Sequence, residues 1–161
     1  MTRRLTNASP LIFLAKLNRM DPLCLGVEEV LVPSGVLAEV RAKRDEATQQ
    51  VEARLGHWLR ECSLTGPEYL RLLPDLGPGE REVIAQALQE KVLSVGLDDL
   101  DARRTARRMG LQPVGTIGLL LAARKRGMLP SLAQELDRLR ACSFRVSAAL
   151  SEQALREAGE L

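Results

Sequence analysis

Short apolar runs alternate with amphipathic stretches along this chain, and that alternation predicts an α/β fold with a parallel sheet. Two observations carry the prediction. Apolar runs around Leu5, at Val30-Leu31-Val32 and over 92–97 have strand length. Each is followed within a few residues by a helix-start signal: Ser9-Pro10, Ser34 and Asp98-Asp99. At 161 residues the chain is predicted to form one domain, 1–161, large enough for a full hydrophobic core.

The elements follow in order. Leu5 runs into Ser9-Pro10, a cap residue with proline at the first helical position. Leu11, Ile12, Phe13, Leu14, Ala15 and Leu17 are apolar nearly all round, so this helix is expected to be buried. Pro33 ends the second strand, and Ser34 caps a helix carrying Val36, Leu37 and Val40. A charged helix over 45–55 reads as a solvated outer one, and a third strand is expected over 57–62. The break Leu76-Gly77-Pro78-Gly79 precedes a helix over 80–90 with Val83, Ile84, Ala87 and Leu88 on one face. The strand over 92–97 ends at Asp98-Asp99, and a helix follows to Met109, where Gly110 stops it. A short strand over 112–115, a helix from Thr116 to about 126 and two helices over 130–141 and 147–158 complete the order.

Composition narrows the function classes. Aromatic residues are only 2% of the chain, so the core must be aliphatic and binding on a platform of stacked aromatics is excluded. A net charge of +2 gives no strong global pull on polyanions. Locally, Arg103, Arg104, Arg107, Arg108, Arg124, Lys125 and Arg126 stand against the single acid Asp101. Cys24, Cys62 and Cys142 form no Cys-x-x-Cys pair, which points away from zinc or a disulfide framework and fits a reducing cytoplasm. The apolar run after Thr2-Arg3-Arg4 is too short for a signal peptide, and no run approaches the ~20 residues that span a membrane.

Four polar positions draw attention: Asn7, Glu39, Glu80 and Asp98. Asn7 and Asp98 each end an expected strand, so in a parallel sheet both lie on its C-terminal edge, where α/β domains bind ligands. Asp99 and Asp101 add carboxylate nearby. Clustered carboxylates are costly unless a cation neutralises them, and oxygen ligands suit Mg²⁺ or Mn²⁺. Glu80 falls on the face of Val83, Ile84 and Ala87. Either it serves a site there, or it is an acid favoured by ~0.3–1 kcal/mol in a first helical turn. Glu39 flanks its helix and, taken alone, reads as a solvated acid rather than a ligand. One of Asp98 and Asp99 is expected to cap the next helix, leaving the other free as a ligand. On that helix Arg104, Arg107 and Arg108 share a face with Arg103 close by, opposite Ala102 and Ala106. This face suits phosphate contact, or it is a solvated face with ion pairs. His57, the only histidine, has no partner in a zinc-ligand spacing.

Several segments occur in an order that resembles the PIN-domain-like proteins, specifically a prokaryotic group related to VapC-type toxin nucleases. They are Asn7-Ala8-Ser9-Pro10-Leu11-Ile12 with Ala15-Lys16, Val32-Pro33 with Val36 and Glu39-Val40, and Leu76-Gly77-Pro78-Gly79-Glu80. Further on come Leu97-Asp98-Asp99 with Ala102-Arg103-Arg104, and Gly110-Leu111 leading to Gly115-Thr116 with Gly118 and Leu120. Phe144-Arg145-Val146-Ser147 and Ala158-Gly159-Glu160 close the series. The resemblance implies a three-layer α/β/α sandwich around a parallel sheet. It implies a metal-dependent endoribonuclease, with Glu39, Glu80 and Asp98 catalytic and one or two Mg²⁺ or Mn²⁺ ions held by Asn7, Glu39, Glu80 and Asp98, with Asp99 in reserve. Asn7 stands where active nucleases usually carry Asp, which removes one negative charge from that set. The alternative is a weakened module that binds RNA or a protein partner without cutting. The implied partners are RNA, met by Arg103, Arg104, Arg107 and Arg108, an antitoxin protein and a second copy of the chain, with no membrane.

Overall fold

Strands β1 (Arg3–Thr6), β2 (Glu29–Pro33), β3 (Leu59–Cys62), β4 (Ser94–Gly96) and β5 (Gln112–Val114) form one sheet in the computed structural model, which describes residues 1–161. The order is β3-β2-β1-β4-β5 and every neighbouring pair is parallel. Leu5 at the centre faces Leu31 on one side and Val95 on the other. Helices α1 (Ala8–Lys16), α2 (Ser34–Ala42) and α3 (Glu46–Arg54) connect β1 to β2 and β2 to β3. Helices α4 (Pro78–Glu90) and α5 (Leu100–Arg108) make the connections through β4 to β5. The chain finishes with α6 (Thr116–Lys125), α7 (Leu132–Ala141) and α8 (Ala148–Glu157).

The sheet grows one way from β1 and then the other way from β4. Right-handed crossovers therefore place the two groups of helices on opposite faces. Helix α4 packs on β1, β2 and β4 and touches α5, while α1 packs against α3 and α6, and α6 against α7 and α8. The result is the three-layer α/β/α sandwich expected. The growth direction reverses between β1 and β4, which opens a crevice beyond the C-terminal ends of those two strands.

One cluster of 38 buried residues holds the layers together, and it is aliphatic. Leu5, Leu11, Leu14, Ile84, Leu97 and Leu120 have no exposure at all, each such side chain stabilising by ~1.5–3 kcal/mol. Helix α1 buries Ala8, Pro10, Leu11, Ile12, Leu14 and Ala15, as its all-round apolar character predicts. Phe13 and Phe144 meet edge to face at 4.8 Å, the one aromatic pair. No helix is long and apolar enough to cross a membrane.

Element boundaries differ from the sequence expectations in instructive ways. Helix α1 starts at Ala8, with Asn7 rather than Ser9 at the cap position. Pro10 still sits in the first turn, where its missing N–H costs nothing. Pro33, not Ser34, precedes α2, and the Ser34 hydroxyl bonds the Cys62 carbonyl at 3.0 Å instead. The third strand begins at Leu59, which leaves His57 exposed in the preceding turn. The C-terminus is latched: Glu160 accepts from the N–H groups of Leu132 (2.6 Å) and Ala133 (3.0 Å), from Ser131 and from Arg124. Against desolvation, which works the other way, those bonds hold its carboxyl below the ordinary glutamate range.

Candidate functional site

Asn7 leaves β1 with its N–H bonded to the Gly96 carbonyl at 2.9 Å, which ties the end of β1 to the end of β4. It occupies the cap position of α1, yet its side chain makes no capping bond. Asn7 is 8% exposed, and its Oδ1 is buried with no hydrogen-bond partner. Leaving such an oxygen unpaired costs about 1–3 kcal/mol, a cost that a bound ligand removes.

That oxygen lies against Gly79 in the first turn of α4. A Cβ at Gly79 would stand 2.7 Å from Asn7 Oδ1 and 3.6 Å from Glu39 Oε2. Both oxygens therefore converge on one place, and only a glycine lets α4 come this near. Glu39 reaches it from α2 and is exposed. Asn7, Glu39, Gly79, Glu80 and Glu82 line a common cleft of about 470 Å³. Glu80, half-buried, folds back over its own helix start: its Oε2 is 2.6 Å from where a Gly77 Cβ would be. Both readings of Glu80 thus describe it, since it is a first-turn acid and it lines the cleft.

Glu82 carries no signal in the sequence, because it falls off the face shared by Glu80, Val83 and Ile84. Its Oε1 accepts from the Gly35 N–H at 2.9 Å, at the N-terminal turn of α2. This braces the helix that presents Glu39 one turn later. The unpaired N–H groups of that helix start, needing an acceptor, were the only available hint.

Asp98 follows β4 and lies across Ser9 from this cleft. Its Oδ2 accepts from Ser9 Oγ (2.5 Å) and Thr116 Oγ1 (2.7 Å), and its Oδ1 from the Thr116 N–H (2.7 Å). Thr116 is the first residue of α6, so Asp98 closes that helix end. Asp99, exposed, caps α5 by accepting from the Ala102 N–H at 2.9 Å. The acids Glu39, Glu80, Asp98 and Asp99 are consequently not gathered into one group, and no three acidic, histidine or cysteine side chains come together to hold a metal ion. The physical reason is that Asp98 and Asp99 answer the unpaired N–H groups of two helix starts.

On α5, Ala102 and Ala106 are fully buried, and Arg104, Arg107 and Arg108 are exposed on the opposite side. Arg104 pairs loosely with Asp101 at 3.8 Å. Arg103 departs from that face. Its Nη1 lies 3.3 Å from where a Gly115 Cβ would stand, close to Asp98 Oδ1 at 2.9 Å from the same point. The three thiols are unpaired. Burial, with Glu90, Glu82 and Glu61 nearby, pushes the Cys62 thiol up to about 12, so it is no nucleophile at neutral pH.

The cleft offers oxygen donors only. An unpaired buried amide oxygen beside a glutamate carboxylate fits one hard divalent cation, which characteristically takes one or two carboxylates and keeps several waters. Asn7 and Glu39 supply the converging pair, with Glu80 on the rim. A model of the PIN domain family DUF3368 matches residues 3–160. No curated protein matches the chain.

Proposed function

The chain belongs to the PIN-domain family, whose fold is of nuclease type, and from that premise we propose that it is a divalent-metal-dependent endoribonuclease. The single observation that carries this reading is the orphaned Asn7 Oδ1 converging with Glu39 beside Gly79. Asn7, Glu39 and Glu80 would hold Mg²⁺ or Mn²⁺. Such an ion, when bound, lowers the pKa of a water and offsets charge on the scissile phosphate. The chain's own residues do the rest. Glu82 fixes α2 and so the approach of Glu39. Asp98, tied to Ser9 and Thr116, sets the wall between the cleft and Arg103. Arg104, Arg107 and Arg108 present exposed cations to a phosphate backbone. As a toxin, the protein would be silenced by an antitoxin segment placing a basic side chain among Glu39, Glu80 and Glu82.

One observation favours a second reading, RNA binding without cleavage. Asn7 gives the cleft one charge fewer than an aspartate would, and Asp98 is already engaged by three hydrogen bonds. The test is cleavage of end-labelled single-stranded RNA with Mn²⁺ or Mg²⁺ by the parent and by Glu39→Gln. Glu39 makes no hydrogen bond or ion pair, so this variant tests chemistry rather than folding. Cleavage by the parent that is lost in the variant and in EDTA is expected. Equal cleavage by both would sink the proposal, and RNA binding with no cleavage by the parent selects the second reading.

A further inference from the structure

A second pocket, of about 200 Å³, opens on the far side of Ser9 with Asp98 at its edge. Ile117 and Leu121 of α6, Phe144, and Ala154 of α8 form its apolar walls. Arg103 and Arg145 are its cations, set against Asp98 and against Glu157, which pairs with Lys125 at 3.9 Å. Neither arginine forms an ion pair, whereas nine of the protein's other cations do. Arg103 Nε is buried with no hydrogen-bond partner. A guanidinium N–H that has lost water and gained nothing is destabilising unless an acceptor arrives from outside. Gly118 stands exposed in the first turn of α6 at the pocket's lining, where a glycine costs ~1 kcal/mol against alanine. A Cβ there would crowd one neighbour, Val114 Cγ2 at 3.1 Å, which would have to give by a few tenths of an ångström. Its lack of a side chain keeps the mouth open.

We propose that this pocket receives the nucleotide adjoining the scissile phosphate of single-stranded RNA. The base enters between the apolar walls, and Arg103 and Arg145 take the flanking phosphate. The inference rests on the endoribonuclease reading of the neighbouring cleft. The volume is below that of a drug-sized site and suits one flat ring. With aromatics at 2% the chain has no stacking platform, so a single slot is the form that base contact takes. Unstacking and unpairing a base costs a few kcal/mol, a cost that an unpaired strand escapes, so the slot favours single strands. Asp98 at the pocket's edge and Ser9 between the two sites place the phosphate next to the cleft.

The test is fluorescence anisotropy in EDTA, with a labelled single-stranded RNA and an abasic ribose-phosphate oligomer of the same length. The parent is expected to prefer the RNA by about tenfold or more. Gly118→Leu, and Gln153→Trp from the opposite wall, should abolish that preference while leaving affinity for the abasic oligomer unchanged. Arg145→Ala should weaken binding of both oligomers. Gln153 is exposed on α8, so its variant keeps the test open if Gly118→Leu folds poorly. Parent-like preference in both filled variants overturns the subsite and leaves a peptide segment as the occupant to seek. Mn²⁺-dependent cleavage by a parent that shows no preference for bases overturns the subsite alone. No affinity for either oligomer, with no cleavage, overturns both the subsite and the endoribonuclease reading.

Discussion

Asn7 and Asp98 end adjacent strands of one sheet edge, yet the fold treats their side chains in opposite ways. Asp98 accepts three hydrogen bonds and closes the start of α6. Asn7 Oδ1 is buried and accepts none. The difference teaches how to separate a structural acid from a ligand position at the same edge. A carboxylate answering helix N–H groups is already satisfied, whereas a polar oxygen kept dry and unpaired is costly until something binds it. By that criterion the proposed metal site lies with Asn7 and Glu39, and Asp98 is the partition between two pockets.

The largest expected effect would break the comparison from the Asp98 side. Asp98→Ala loses its bonds to Ser9 and Thr116 and the cap of α6, and should cost about 3 kcal/mol in urea unfolding. For a domain of this size that lowers the melting temperature by roughly 6–12 °C. Asn7→Asp sharpens the contrast from the other side. Without metal, a buried negative charge close to the exposed Glu39 carboxylate should destabilise by about 1–2 kcal/mol. Excess Mn²⁺ should reverse that loss, because an ion that binds only the folded state stabilises it. Thermal melts in EDTA and in Mn²⁺ check both statements. Glu82→Ala removes the bond to the Gly35 N–H and should cost about 1 kcal/mol by chemical denaturation. Glu39→Gln is the smallest: exposed and unbonded, it should leave stability within about 0.5 kcal/mol of the parent.

Much of the fold was legible because the apolar pattern is regular. All five strands and all eight helices occur in the order that periodicity gives, with some starts shifted, and α1 is buried all round as its composition demands. What misled was side-chain chemistry at boundaries. Ser9 looked like a cap because Pro10 follows it, but its hydroxyl serves Asp98 across the sheet. The candidate site residues were legible as types, not as a geometry. Nothing in spacing reveals that Thr116 occupies Asp98, or that Glu80 bends back over Gly77. Arg103 shares its helix with Arg104, Arg107 and Arg108, and only the approach of Gly115 separates it from them. Glu82 was missed because its role depends on α2 lying against α4, a tertiary contact.

The most direct test of the central claim is a calorimetric titration of Mn²⁺ into the parent, Glu39→Gln and Asp98→Asn. The account predicts that Glu39→Gln weakens binding by about tenfold or more while Asp98→Asn changes it by less than about threefold. Unchanged affinity in Glu39→Gln, with binding lost in Asp98→Asn, would contradict it.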